Sequence, residues 1–424
     1  MSILSKKIIS NSLWMMLEKF VGIFGIIFVM SYVAKYIGPT NFGKIALATT
    51  LFAFVQALTW FGNQEILFKR VSRNRQLGVL YLANTQNIRR ILFGLFGLPI
   101  LITLYFYSDE LTFIYGVATG LASYFITQDI YTIYNNAILK SYINALANIT
   151  GLVVALIIRY IIVILQLDYT YFSIPIVLVA LIPYLLKKFI FNREFEAPVL
   201  PTPRYQKYYL LAGSALVISS LAVSFYTQIT SLMLAAIAST HELGIYAVAV
   251  MLGASWSFIN FSIITSVMSK IYQEKDTYQS YSMAAKLNVM IVIISMSIIL
   301  ILNLFGNWII QLLYGLAYTA AYELLIILAI STMMSGLGTI AARIMIKQGS
   351  YSYISKKMLC VAVSALPISY FCIQSFGLKG AAYSVLIIEL LSLTFFNYFY
   401  KNGLIFKIHF FPFFKQSLKL KYTR

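Results

Sequence analysis

Five ionisable residues stand inside stretches that are otherwise almost wholly apolar: Glu18, Lys19, Asp129, Arg159 and Glu389. A charge in a lipid-spanning segment costs roughly 2.5–3.5 kcal/mol on insertion scales, so such residues are held by a partner or by a watery path. The chemistry open to them is ion pairing inside a helix bundle, snorkelling to the interface, or solvation of charge in a cavity. Adjacent residues on a helix point about 100° apart, so Glu18 and Lys19 cannot both face one partner. Arg159 is the sharpest case, because its neighbours Ile157, Ile158, Ile161 and Ile162 offer no solvation. It should face a water-filled cavity or a carboxylate such as Asp129 or Glu389.

The elements that position these residues follow from composition. Of 424 residues, 60% are hydrophobic and 11% charged, against roughly 25% charged in soluble domains. A spanning helix needs about 20 largely apolar residues, and the sequence supplies twelve such stretches: 12–34, 43–66, 88–107, 112–136, 146–167, 171–191, 208–238, 243–271, 287–312, 321–346, 357–376 and 380–400. They lack the period-2 alternation of a barrel, so an all-α membrane protein is predicted.

The net charge of +19 comes from bases gathered in alternate loops, among them Lys69, Arg70, Arg89 and Arg90, Lys140, Lys187 and Lys188, Lys347, Lys356 and Lys357, and the tail from Lys401. The intervening loops are short and carry Asp109, Asp168, Glu242 and Glu323. That is the positive-inside pattern, with both termini cytoplasmic, and not a nucleic-acid surface. Cys360 and Cys372 lie in one apolar segment and are expected to be buried packing residues. With two His in total there is no metal cluster and no cofactor. No Walker loop, nucleophile elbow or H-E-x-x-H motif is present, so no enzyme activity is expected, and no energy from ATP bound by this chain.

The sequence also repeats. Gly43 and Gly244 are 201 positions apart, and the same offset sets Ala48 on Ala249 and Leu51 on Leu252. Two parallel six-helix lobes around a central cavity are expected: residues 1–196, a proline-bearing cytoplasmic linker at 197–207, and residues 208–424.

Helical spacing brings polar groups to shared faces. Tyr124, Gln128, Tyr131 and Asn135 follow i, i+4, i+7, i+11 in the fourth span, and Gln56, Trp60 and Asn63 lie in the second. The alternative for such faces is helix packing, as expected for the Ser and Thr of the seventh span and for the Gly116–Gly120 pair.

In order along the chain, several segments resemble one family. Ala34-Lys-Tyr-Ile-Gly-Pro-Thr-Asn-Phe-Gly43, with Trp14, Glu18 and Lys19 before it, resembles the turn after the first helix of Wzx-type polysaccharide flippases. Glu242-Leu-Gly-Ile-Tyr-Ala-Val-Ala249, Tyr314-Gly-Leu-Ala-Tyr318 and Phe376-Gly-Leu-Lys-Gly-Ala-Ala382 are similar to further segments of it. The resemblance implies membership of the multidrug/oligosaccharidyl-lipid/polysaccharide exporter superfamily. It also implies flipping of an undecaprenyl-diphosphate-linked oligosaccharide, by alternating access, to the outer leaflet of the bacterial inner membrane. A polysaccharide polymerase is an implied partner beside the membrane lipids and the lipid-linked substrate.

On that substrate the residues acquire roles. Lys19 and Arg159 would hold the diphosphate at depth. Arg70, Arg89 and Arg90 would gather it at the cytoplasmic mouth. Glu18, Asp129 and Glu389 would neutralise those bases or take up a proton. Gln56, Trp60, Asn63, Tyr124, Gln128, Tyr131 and Asn135 would meet the sugars. An ion-coupled drug or metabolite antiporter of the same superfamily is the rival reading. A glycan polymerase is disfavoured because the expected external loops are short.

Overall fold

The computed structural model describes residues 6–61, 63–194 and 203–410. Every regular element among them is helical: α1 (Lys6–Trp60), α2 (Gln64–Arg73), α3 (Arg75–Tyr107), α4 (Glu110–Gln128), α5 (Ile130–Ala137), α6 (Ser141–Ile164), α7 (Ser173–Glu194), α8 (Pro203–Ile237), α9 (Thr240–Ala254), α10 (Ser257–Gln273), α11 (Thr277–Tyr314), α12 (Ala321–Lys347), α13 (Tyr351–Leu393), α14 (Phe395–Tyr398) and α15 (Leu404–His409), with two short 3-10 turns.

Among the described residues, eight helical stretches are long and apolar enough to cross a membrane. Two of them, Phe20–Trp60 and Tyr351–Tyr398, run for 41 and 48 residues, at 1.5 Å per residue about twice the ~30 Å of hydrocarbon. Each is broken by a glycine: Gly38 at φ 74, ψ 170 and Gly377 at φ 55, ψ −131. Only glycine adopts such angles without strain, so each stretch is two spans. With α4–α5 and α8 the total is twelve, arranged as two lobes. The repeat is visible in the backbone: 201 positions after the break at Gly38, Ser239 is extended (φ −166, ψ 166) and accepts a hydrogen bond from the Glu242 amide to start α9. Ala48 and Ala249, matched by the same offset, are both fully buried.

The chain divides into two compact units, Met1–Gln228 and Ile229–Arg424. The expected boundary at 197–207 lies largely in residues 195–202, outside the described residues. The division falls later because the beginning of α8 packs with the first unit: the Tyr209 hydroxyl, fully buried, donates to the carbonyls of Thr59 and Trp60, both at 3.0 Å. The last turns of α8 belong to the second unit, where Thr230 hydrogen-bonds Ser369 and Ser384.

Glycines set the closest helix approaches. A Cβ on Gly116 would lie 2.5 Å from Leu104, and one on Gly120 would lie 2.8 Å from the Phe52 ring, so this pair is a packing seam, as its spacing suggests. Loop charges meet at the ends of the helices. Lys44 pairs with Asp109 at 2.7 Å; Arg75 pairs with Glu194 at 2.6 Å, and Lys140 with the same carboxylate. Burial would raise the Asp109 pKa, but hydrogen bonds from Lys44 and Thr112 outweigh it and hold the carboxyl below the usual range. The cysteines correct an expectation: Cys360 is exposed and Cys372 half-buried, both free. On a membrane-spanning helix the outward face is as apolar as the inward one, so apolar neighbours do not distinguish lipid contact from core.

Candidate functional site

The first unit holds a polar cavity of about 270 Å³ lined by Trp60, Gln64, Asp129, Thr132, Asn148 and Lys187, with Ile126, Ile133, Val179, Ala180 and Pro183 as its apolar wall. Its geometry begins with a close crossing of α6 and α7. A Cβ on Gly151 would lie 2.5 Å from the Pro183 ring, so only glycine lets the two helices approach this closely. One turn away along each antiparallel helix, Asn148 and Lys187 are brought to the same level.

Across from them the chain breaks at Asp129 (φ −77, ψ 71), which ends α4 and caps α5. Its carboxylate accepts from the Thr132 amide at 3.2 Å and the Thr132 hydroxyl at 2.9 Å. The Lys187 ammonium, with a side chain only 2% exposed, pairs with that carboxylate. It also donates to Thr132 Oγ1 at 2.8 Å and Asn148 Oδ1 at 3.0 Å. All three ammonium donors are therefore engaged. The Asn148 amide then donates to Glu18 at 2.7 Å. A chain of polar contacts runs Glu18–Asn148–Lys187–Asp129–Thr132 and ties α1, α5, α6 and α7 together.

Trp60, which lines the cavity, also contacts Arg89. The Arg89 guanidinium is fully buried and lies 5.7 Å from the Trp60 ring centroid. It donates through Nη1 to Thr85 at 2.9 Å, while Nε and Nη2 have no hydrogen-bond partner.

Several expected site residues fall elsewhere. The face expected from Tyr124 to Asn135 is not formed, since the break at Asp129 resets the rotation between α4 and α5. Gln128, Tyr131 and Asn135 are 1–5% exposed and packed in the interior, Asn135 donating to Asn144 at 2.9 Å and Tyr131 beside Tyr184 and Phe191. Tyr124 sits edge-on to Phe93. Gln56 donates to Ser123 at 2.9 Å. Asn63 clasps α8 by donating to the Tyr209 carbonyl at 3.1 Å and accepting from Tyr81. Of the expected sugar contacts, only Trp60 lines the cavity.

Among the bases, Arg90 is exposed and Arg70 lies 5.1 Å from the Tyr81 ring centroid, but Arg89 is no open-mouth residue, because Trp60 covers it. The side chain of Lys19 lies outside the described residues. Arg159 is 9% exposed and has no ion pair or hydrogen bond among the described residues. The pairing with Asp129 weighed for it is not made, because Lys187 holds that carboxylate. In the second unit Glu389 interacts with the Ser335 hydroxyl and with the buried Lys357, without an ion pair.

Lys187 and Asn148 are the residues that sequence reasoning missed. Lys187 was within reach: it lies inside the expected span 171–191, four residues after Pro183, and was assigned to the loop charges because Lys188 follows it.

Comparison with known proteins places this geometry. The family model for polysaccharide biosynthesis proteins matches residues 8–269. The structure is similar to one described as the lipid II flippase MurJ in an inward closed conformation, at 15% identity over 98% of this chain and 92% of that one, with a TM-score of 0.68. It is also similar to an inward-facing multidrug resistance MATE family transporter of the MOP superfamily (13% identity, 93% and 95% covered, TM-score 0.62), and to a MOP superfamily transporter from Pyrococcus furiosus (12%, 98% and 96%, 0.57). No curated protein matches the sequence. The solved structures that it resembles are described as a flippase and as transporters, and at 12–15% identity the likeness is one of fold.

Proposed function

We propose, from the premise that this chain belongs to the polysaccharide biosynthesis protein family, that it flips undecaprenyl-diphosphate-linked oligosaccharide units from the cytoplasmic to the outer leaflet by alternating access. The observation that carries the reading is the family match across the first unit, where a polar cavity with a buried ammonium and an adjacent buried guanidinium sits inside membrane-spanning helices. A diphosphate crossing lipid needs fixed donors in place of its hydration shell. The buried guanidinium groups of Arg159 and Arg89 are such donors in a bilayer that offers none, the Lys187 ammonium being already engaged by Asp129, Thr132 and Asn148.

The location that fits is the bacterial inner membrane, with the basic loops and both termini cytoplasmic and a polysaccharide polymerase acting on the flipped unit. The carboxylates Glu18 and Asp129 at the same cavity are what an ion-coupled drug or metabolite antiporter would also use, and one experiment separates the two. Loss of the protein should stop surface display of one glycan while its undecaprenyl-linked unit accumulates on the cytoplasmic face. Persistence of every surface glycan, with only resistance to cationic drugs lowered, would hand the assignment to the antiporter.

A further inference from the structure

Arg89 is the largest fully buried side chain of the described residues. Its charge has no carboxylate counterpart among them: Asp129 is held by Lys187, and Glu18 is engaged by Asn148. Nε and Nη2 have no hydrogen-bond partner of good geometry, the Tyr209 hydroxyl being their polar neighbour. Leaving charged donors unsatisfied in a low-dielectric interior is costly, and the aromatic surround of Trp60, Tyr81, Tyr131 and Tyr209 offers only ring faces and hydroxyls. The indole of Trp60 that the guanidinium meets also lines the cavity.

That indole stands where the backbone is under tension. Trp60 is the last residue of α1, and Phe61, next to it, is left-handed at φ 47, a conformation costly for a bulky side chain. The main chain there is tied by the Tyr209 hydroxyl, which donates to the Thr59 and Trp60 carbonyls, so the movement open to this wall is one of the Trp60 side chain.

We propose that Trp60 is a shutter over Arg89, and that its displacement joins the guanidinium to the cavity as an anion subsite for a phosphate or diphosphate. The cavity, of about 270 Å³, is also lined by Gln64, whereas the Lys187 ammonium, the Thr132 hydroxyl and the Asn148 amide are already engaged with one another and with Asp129 and Glu18, so the donor that an anion gains is the guanidinium. With the shutter closed, Lys187 and Asp129 cancel and the cavity offers no unmatched positive charge. With it open, Arg89 supplies one, together with the two free edges that a fork of N–H donors presents to an oxyanion. This inference rests on the flippase reading for its biological ligand, but its chemistry is tested without transport.

The test titrates inorganic pyrophosphate into the purified full-length protein in nanodiscs, followed by calorimetry. Trp60→Ala removes the shutter and the cation–π contact that closes it, so pyrophosphate should bind roughly two- to thirtyfold more tightly than to the unmodified protein. Adding Arg89→Gln to Trp60→Ala should abolish the gain. If that double variant does not fold, Trp60→Ala/Arg89→Lys, which keeps charge but loses the fork, should lose most of it. Trp60→Ala binding no better than the unmodified protein would overturn the proposal, as would a gain that survives replacement of Arg89. A failed titration beside intact glycan translocation removes only the subsite; failed translocation beside a successful titration removes only the flippase reading.

Discussion

Replacing Asp129 by Asn tests the best-defined contact of the site. The substitution keeps the side chain's shape and leaves the Lys187 ammonium, 2% exposed, buried with only the Thr132 and Asn148 oxygens for company. Removing one partner of a buried ion pair costs about 3–5 kcal/mol, because the other charge stays uncompensated. Against a typical total of about 5–15 kcal/mol, that is about a fifth or more of the stability of the first unit. At about 2–4 °C per kcal/mol for a unit of this size, the protein in detergent should melt roughly 6–20 °C lower. The double variant Asp129→Leu/Lys187→Met removes both charges and fills similar volume, and such replacements are often neutral or stabilising. It should recover most of the loss. The assay is thermal unfolding by intrinsic fluorescence, with monodispersity by size exclusion as a check. Asp129→Asn melting with the unmodified protein, or a double variant no better than the single one, would refute the reasoning that this pair is a closed, desolvated lock.

Three further outcomes are expected. Arg159→Ala should fold normally, since it leaves no carboxylate unpaired, yet abolish translocation, with Arg159→Lys retaining part of it; normal translocation by well-expressed Arg159→Ala would remove the residue from the mechanism. Gly38 has no atom within 4 Å of its would-be Cβ, so Gly38→Ala should cost only backbone strain of about 1–3 kcal/mol, whereas a Cβ on Gly380 would lie 1.9 Å from the Cys372 carbonyl oxygen and Gly380→Ala should sharply reduce folded yield; equal yields would contradict this. His409, on α15, is held down to about 4 by burial, so it is neutral in the fold while the exposed side chain protonates near 6.5. Docking of α15 should be fully present above pH 6.5 and weaken as the pH falls towards 4; hydrogen exchange of residues 404–409 should rise at pH 5, and His409→Gln should flatten that dependence.

The fold was legible because a bilayer imposes its own arithmetic. Twelve apolar stretches and a repeat at 201 positions are properties of composition and spacing, and each has its counterpart, in the helices and in the matched breaks at Gly38 and Ser239. The site was less legible, for reasons visible at single residues. Periodicity carried Tyr124 through Asn135 along one helix, but Asp129 interrupts the helix by capping the next, a competition between side chain and backbone that spacing alone does not reveal. Lys187 and Lys188 look alike in sequence; beside the close contact of Gly151 with Pro183 the first is buried at the cavity, and the second is half-buried over the Tyr184 ring. The exposed Cys360 shows the same limit, since lipid and core select the same residue types. Of the charges that the sequence singles out, Glu18 and Asp129 both sit in the polar chain of the first unit, and Glu389 lies near a buried lysine in the second.

The central claim is that this chain moves a lipid-linked glycan across a bilayer. Purified protein reconstituted into liposomes with a fluorescent undecaprenyl-diphosphate oligosaccharide tests it directly, using an impermeant quencher to count the probe left in the outer leaflet. In protein-free vesicles about half the probe should remain protected for the whole measurement. With the protein present, the protected half should become accessible over time, and Arg159→Ala vesicles should behave as protein-free ones. A protected fraction unchanged by the protein, in vesicles where the same preparation exchanges a cationic drug for protons, would contradict the account.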